Sequence, residues 1–170
     1  MSKELLPIGQ KRDGSYYMNI QWASHTESDP RFWVSNLLTQ DIERNGGTYG
    51  CNTFGPAHVV FGFFGEEQVL NKLKVYKNVG VTKSVIEELA AALDIYVCDT
   101  DEPAEKLRTK EDDINSVNWQ HVKLADLKEE YGWEEIEFDA PVKAKYLRVD
   151  LVINRSKTID WVEISKILAF

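Results

Sequence analysis

The chain has 170 residues, 43% of them hydrophobic and 11% aromatic, with 28 acidic side chains against 20 basic ones and a formal charge of −8. That is the size of one domain, with enough apolar matter for a buried core, and it excludes a disordered chain. The acidic balance, without a basic run or stripe, excludes a nucleic-acid binder, and no apolar stretch approaches the roughly 20 residues of a membrane helix.

The opening, MSKELLPIGQKRDGS, has no apolar core of signal-peptide length and no small-residue cleavage pattern. Two origins stay open: a protein that remains inside the cell, or a module cut from a longer secreted chain. YYMNIQW (16–22) is the first segment to carry the period of two expected of a half-buried strand. SDPRFWVSNLL then interrupts it with a helical pattern, with Asp29 or Ser28 as N-cap and Pro30 in the first turn. Strand patterns return in AHVVFGFF (57–64) and NKLKVYKN (71–78), separated by the turn signal GFFGEE. A second helical pattern, SVIEELAAAL, carries a capping box of Ser84 and Glu87.

LDIYVCDT (93–100) follows as a strand, and the charged stretch 102–116 lacks strand periodicity, reading as a solvated loop or short helix. WQHVKL (119–124) is a strand, and residues 134–153 are two strands joined at DAPVKA, because Pro141 cannot donate to a central ladder. With TIDWVEISKILAF at the end, at least eight short strands fit one domain over residues 1–170. The fold class expected is all-β, an antiparallel sandwich or jelly roll with short helical insertions. Cys51 and Cys98 read as two buried free thiols, since a core of this size needs no disulfide, with a disulfide between them as the alternative.

The order of the motifs resembles a known family. The strand Ile95–Asp99 is followed by Trp119, then by Pro141 and the strand Ala144–Arg148, and last by Val162–Ile164. This arrangement is similar to the discoidin, or coagulation-factor type C, domains and to family 32 carbohydrate-binding modules, over most of the chain. The resemblance implies a discoidin-like jelly roll of the galactose-binding type. The family's upstream motif, Asn-x-x-Asp-Gly-Asp-x-x-Thr-x-Trp, is matched here by Asn36, Thr39-Gln40-Asp41, Thr48 and Tyr49 after an insertion. The first Asp, the Gly and the Trp are replaced.

In that family the motif supports a hard-cation site. The resemblance therefore implies one structural Ca2+ held by Leu38, Asp41 and Thr48 from the 36–48 loop and by Glu163 from the closing strand. Calcium takes six to eight oxygens, and a glycine-bearing loop can turn its carbonyls inward. The alternative is that Asp41 caps a local turn and Glu163 faces solvent.

No arrangement for catalysis is visible. His25, His58 and His121 lie in separate segments, outside any ligand-spaced motif, and neither cysteine has a nucleophile signature. Paired acids such as Glu87-Glu88, Asp112-Asp113 and Glu129-Glu130 are consecutive and do not face one another on a helix. NGGTYG lacks the Lys-Ser/Thr of a phosphate-binding loop.

A binding domain, not an enzyme, is the reading. A sugar offers an apolar C–H face to an aromatic ring and hydroxyls to planar polar groups, and a sandwich carries both on loops at one end. The candidate loops supply His25, Tyr49, Asn52, Phe54, Lys77, Asn78, Asn154 and Arg155. For each a structural role is the competing explanation; Tyr49 stands where the family carries a buried Trp. Two functions follow from the resemblance: a carbohydrate-binding module of an extracellular, glycan-degrading or adhesive protein, or an intracellular protein-interaction domain on the same scaffold.

Overall fold

The computed structural model describes residues 18–38, 47–53, 55–78, 86–152 and 160–170. Ten strands run in chain order: β1 (Asn19–Ala23), β2 (Tyr49–Asn52), β3 (Ala57–Gly62), β4 (Gln68–Lys77), β5 (Ala92–Cys98), β6 (Gln120–Asp126), β7 (Gly132–Ala144), β8 (Tyr146–Val152), β9 (Trp161–Ile164) and β10 (Lys166–Ala169). They form a five-stranded sheet in the order β1-β3-β8-β5-β6, a three-stranded sheet β10-β4-β7 and a ribbon β2-β9, and every strand pair is antiparallel. The expected all-β antiparallel sandwich is what forms. Among the described residues no helix is long and apolar enough to cross a membrane.

Period two places the core. Val59 and Phe61 of β3, Leu93, Ile95 and Val97 of β5, and Leu147, Val149 and Leu151 of β8 are all buried on the inner face of the five-stranded sheet. Leu70, Leu73 and Val75 of β4 and Ile136 of β7 meet them from the facing sheet. Leu70 and Leu73, three apart, can both point inward because the ladder slips between Leu70 and Lys72. The hairpin-like turn after β3 is made by two left-handed residues, Phe64 (φ 54) and Gly65 (φ 83), closed by Glu66 N–H donating to Phe63 O at 3.1 Å.

Three expectations about local structure are corrected. SDPRFWVSNLL forms two 3-10 turns, Pro30–Phe32 and Val34–Leu38, rather than one helix, because Trp33 is extended between them; Asp29 is the N-cap, accepting from Arg31 N–H at 3.0 Å. SVIEELAAAL is not a helix either. A 3-10 turn spans Ile86–Glu88, after which Ala90 N–H donates to Glu163 O at 3.0 Å, so the backbone is committed to a ladder and not to helical bonds. Ser84 lies outside the described residues. Finally, β7 runs through Pro141 to Ala144, and the break before β8 falls at Lys145. β7 is an edge strand, where a missing N–H costs nothing, and Pro141 lies in the stretch displaced by the slip opposite Asn71.

The charged insertion folds as α1 (Glu102–Lys106) and a 3-10 turn, Ile114–Ser116. Its Leu107, Ile114 and Val117 join Trp22, Val60, Cys98 and Tyr146 in a second small core over the outer face of the five-stranded sheet. Beside it, β8 presents Arg148 and Asp150, 5% exposed each, as a bidentate pair at 2.8 and 2.7 Å. The guanidinium lies 4.4 Å from the Tyr96 ring centroid and 5.7 Å from that of Trp119. His58 Nδ1 stands 2.7 Å from Asp150 Oδ1, an ion-pair contact without hydrogen-bond alignment. Both cysteines are free and buried, and burial pushes the Cys51 thiol up to about 12.

Burial opposes ionisation of Asp150, yet the neighbouring His58 and Arg148 outweigh it and hold its carboxyl below the ordinary range. A depressed folded-state value contributes stability that is present above the unfolded value, near pH 4, and is lost as pH falls through the folded one. Asp150→Asn should therefore cost about 3–5 kcal/mol at pH 7 by leaving Arg148 buried without its counter-charge. In urea titrations at several pH values, the gap between wild type and Asp150→Asn should be flat through neutrality and narrow below about pH 4.

Candidate functional site

Strand register decides which candidates meet. Ala23 of β1, Ala57 of β3 and the ends of β8 and β5 lie at one level, since Ala23 pairs with Val59, Ala57 with Leu151 and Ala92 with Val152. The end of β2 reaches the start of β9 at the same side, where Asn52 pairs with Trp161 and Thr53 N–H donates to Asp160 O at 2.8 Å. Ser24, Thr53 and Asp160 therefore stand at a common end of the sandwich. Lys77 and Gly132 pair at that end too, on the three-stranded side.

Of the candidates, His25 and Asn52 come together here. His25 Nδ1 pairs with Ser24 Oγ at 2.7 Å. Burial, and after it the neighbouring His58, lower its pKa. Exposed Asn52, with its amide nitrogen turned toward Asp160, donates to Asp160 Oδ2 at 2.7 Å. Glu27 stands beside them, its carboxylate 3.5 Å from Asn52 N. Asn78 is half-buried, and its carbonyl accepts from Ser165 Oγ at 3.3 Å. Phe54, Asn154, Arg155 and Asp41 lie outside the described residues.

Two candidates have structural work instead. Tyr49 is fully buried, because β2 turns its ring into the core and its hydroxyl donates to His25 O at 2.9 Å. Lys77 is 2% exposed: at the mouth between the sheets its Nζ donates to Glu134 Oε1 at 2.6 Å and to Lys128 O at 2.9 Å. Neither side chain faces solvent, so neither can touch a ligand. Sequence reasoning missed Glu27 and Asp160, whose only signal was an acid beside a turn. It also missed the exposed rings of Tyr131 and Trp133, at 47% and 43%, which follow β6 and open β7 at this end. Tyr76 flanks Trp133 with ring centroids 5.1 Å apart.

Glu163 is buried, 2% exposed, and does not face solvent. Its Oε2 accepts from Thr48 Oγ1 at 2.9 Å, and its Oε1 accepts from the Trp161 indole. The Trp161 ring meets Phe32 edge-on at 5.0 Å. Gly50 is required beneath this cluster: a Cβ there would stand 2.8 Å from Glu163 Cγ and from Trp161 Cζ2. Gly47 is equally confined, since its Cβ would come 1.8 Å from Asn36 Nδ2. Gly47 and Gly50 of NGGTYG thus serve close packing around Asn36 and Glu163.

The same loop meets a cation that belongs to the chain. Lys166 of β10 is 2% exposed, and its Nζ donates to Asn36 O at 2.7 Å and to Gly47 O at 3.3 Å, carbonyls from both sides of the loop. Leu38 contributes a half-buried side chain packed against the core. Among the described residues no three His, Cys, Asp or Glu side chains gather as metal ligands. Asn36 O and Gly47 O thus face an ammonium, and a divalent ion about 4 Å from it would meet a repulsion of roughly 8 kcal/mol at an effective dielectric constant near 20.

No family model matches the sequence, and no curated protein matches it. Solved structures do share the fold. The family 32 carbohydrate-binding module of Streptococcus pneumoniae EndoD aligns with a TM-score of 0.67 at 11% identity, covering 97% of this chain and 99% of that one. The family 32 module of Clostridium perfringens NanJ, solved with galactose, aligns with a TM-score of 0.60 at 12% identity over 90% and 93%. Chitosan-binding module 1 of a chitosanase/glucanase from Paenibacillus sp. IK-5 aligns with a TM-score of 0.64 at 14% identity over 98% and 99%. The sandwich is thus that of the family 32 modules, as the motif order implied.

Thr48→Val would leave a buried Glu163 oxygen without its hydroxyl donor, at a cost of about 1–3 kcal/mol. Gly50→Ala should cost about as much by overpacking. Because both substitutions act on Glu163, the double variant should depart from additivity in urea unfolding by about 0.5 kcal/mol or more.

Proposed function

We propose that this chain is a non-catalytic carbohydrate-binding module that recognises a glycan through the loops gathered at one end of its sandwich. The observation that carries the reading is the coincidence of His25, exposed Asn52 and Asp160 at one end of the sandwich, beside the end of β2 and the start of β9. These are the planar donors and acceptors that sugar hydroxyls require. Fold likeness supports it: similar sandwiches have been solved with galactose, with GalNAc-β-1,3-galactose and with 4,5-unsaturated mannuronic acid. Exposed aromatic rings at the same end, Tyr131 and Trp133, add apolar faces of the kind sugars stack on. On this reading the chain is a module of a larger, secreted protein.

Within the site, Arg155 supplies a planar fork able to bridge two adjacent hydroxyls or meet an acidic sugar's carboxylate, and Phe54 supplies the stacking ring. A shallow site covering one or two sugars forms few desolvated contacts, which corresponds to a Kd on the order of 0.1–1 mM.

Glycan-array screening followed by calorimetric titration is the direct measurement. Binding should fall at least tenfold in Arg155→Ala and in Phe54→Ala, with the fold intact by circular dichroism. Failure to bind any glycan, together with stoichiometric recovery of a protein partner, would replace this reading with that of a protein-interaction domain on the same scaffold.

A further inference from the structure

We infer that the ammonium group of Lys166, lying on the carbonyls of Asn36 and Gly47, is a resident cation in the place that the motif resemblance gives to calcium. The inference stands apart from the glycan reading. A lysine almost wholly removed from water must have compensating acceptors, because an unpaired buried charge is prohibitively costly. Among the described residues two main-chain carbonyls serve as acceptors. Asn36 O closes the contact from the middle of the 3-10 turn Val34–Leu38, and Gly47 O closes it where the chain enters β2. One ammonium with three N–H donors thereby clamps both sides of the loop to the last strand.

The surroundings are built for a fixed cation. Lys166 is held in the β4 ladder opposite Tyr76, so its position is set by backbone pairing rather than by side-chain choice. Its neighbour Ser165 donates its N–H to Tyr76 O at 3.0 Å, which fixes the bend between β9 and β10. Asn36 brings the loop's two sides together independently, its Nδ2 donating to Pro30 O at 3.0 Å and to Thr48 O at 3.1 Å. Gly47 leaves no room between them for even a methyl group. Meanwhile Glu163, the acid expected to ligate a metal, has both carboxylate oxygens engaged by Thr48 and Trp161. A divalent ion would have to displace an ammonium tethered in place, not a water.

The test uses the intact chain with calcium and terbium as probes. Trp161, whose indole donates to Glu163, is a built-in antenna for terbium luminescence at this spot. Thermal melts of the wild type in 5 mM EDTA and in a large excess of calcium should coincide, and excitation of tryptophan should give no calcium-displaceable terbium emission. Lys166→Met, which keeps the length of the stem and removes the charge, should lower the melting midpoint by about 5–15 °C through the carbonyls it leaves unsatisfied. A wild-type midpoint that rises with calcium, or terbium emission quenched by calcium, would overturn the inference. So would a Lys166→Met protein that melts with the wild type. Should that variant fail to fold, the two wild-type measurements still decide the matter.

Discussion

The two closing strands, β9 and β10, are held by two buried ionisable side chains three residues apart, Glu163 and Lys166, and much of the architecture depends on how each is satisfied. Glu163 faces the ribbon β2-β9 and takes the Thr48 hydroxyl and the Trp161 indole. Lys166 takes carbonyls from both sides of the preceding loop. Neither is exposed enough for water to stand in for those partners, so Asn36, Gly47 and Thr48 cannot draw away without stranding a charge. The tight glycines follow from this: Gly47 and Gly50 sit where the loop must pass against Asn36 and Glu163. A single polar assembly thus ties Asn36, Gly47 and Thr48 to β9 and β10.

A second polar assembly lies on the outer face of the five-stranded sheet, and it explains why the central strand β8 carries Arg148 and Asp150 among apolar neighbours. On a sandwich the outer face of a central strand is normally wet. Here the insertion that holds α1 covers part of it with Leu107, Ile114 and Val117, leaving Arg148 between Tyr96, Trp119 and Asp150. The inner face needs no such arrangement, because alternation delivers Leu147, Val149 and Leu151 to the core. The two faces of one strand are therefore stabilised differently: apolar burial within, and a charge pair sheltered by aromatic rings without. Together they keep the strand ends in register, and that register puts His25, Asn52 and Asp160 at one end.

Several features were legible in the amino acids alone: the alternating segments, the Asp29-Pro30 helix start, the two buried thiols and the order of motifs. These are local properties. Alternation reports one wet and one dry face, and a cap reports the orphan N–H groups of the turn that follows it. What each inward or capped side chain would then meet was not local. Tyr49 and Lys77 lie in loops and strand ends that pattern assigns to a ligand, yet the packing of the sheets closes over both. SVIEELAAAL satisfies every helical signal, but Ala90 is drawn into a bond with Glu163, seventy-three residues later in the chain. Lys166 reads in sequence as an ordinary charged residue near a terminus. Only the tertiary structure decides that its ammonium lies on the carbonyls of Asn36 and Gly47, more than a hundred residues earlier, because a carbonyl's availability depends on backbone conformation and leaves no mark on the sequence.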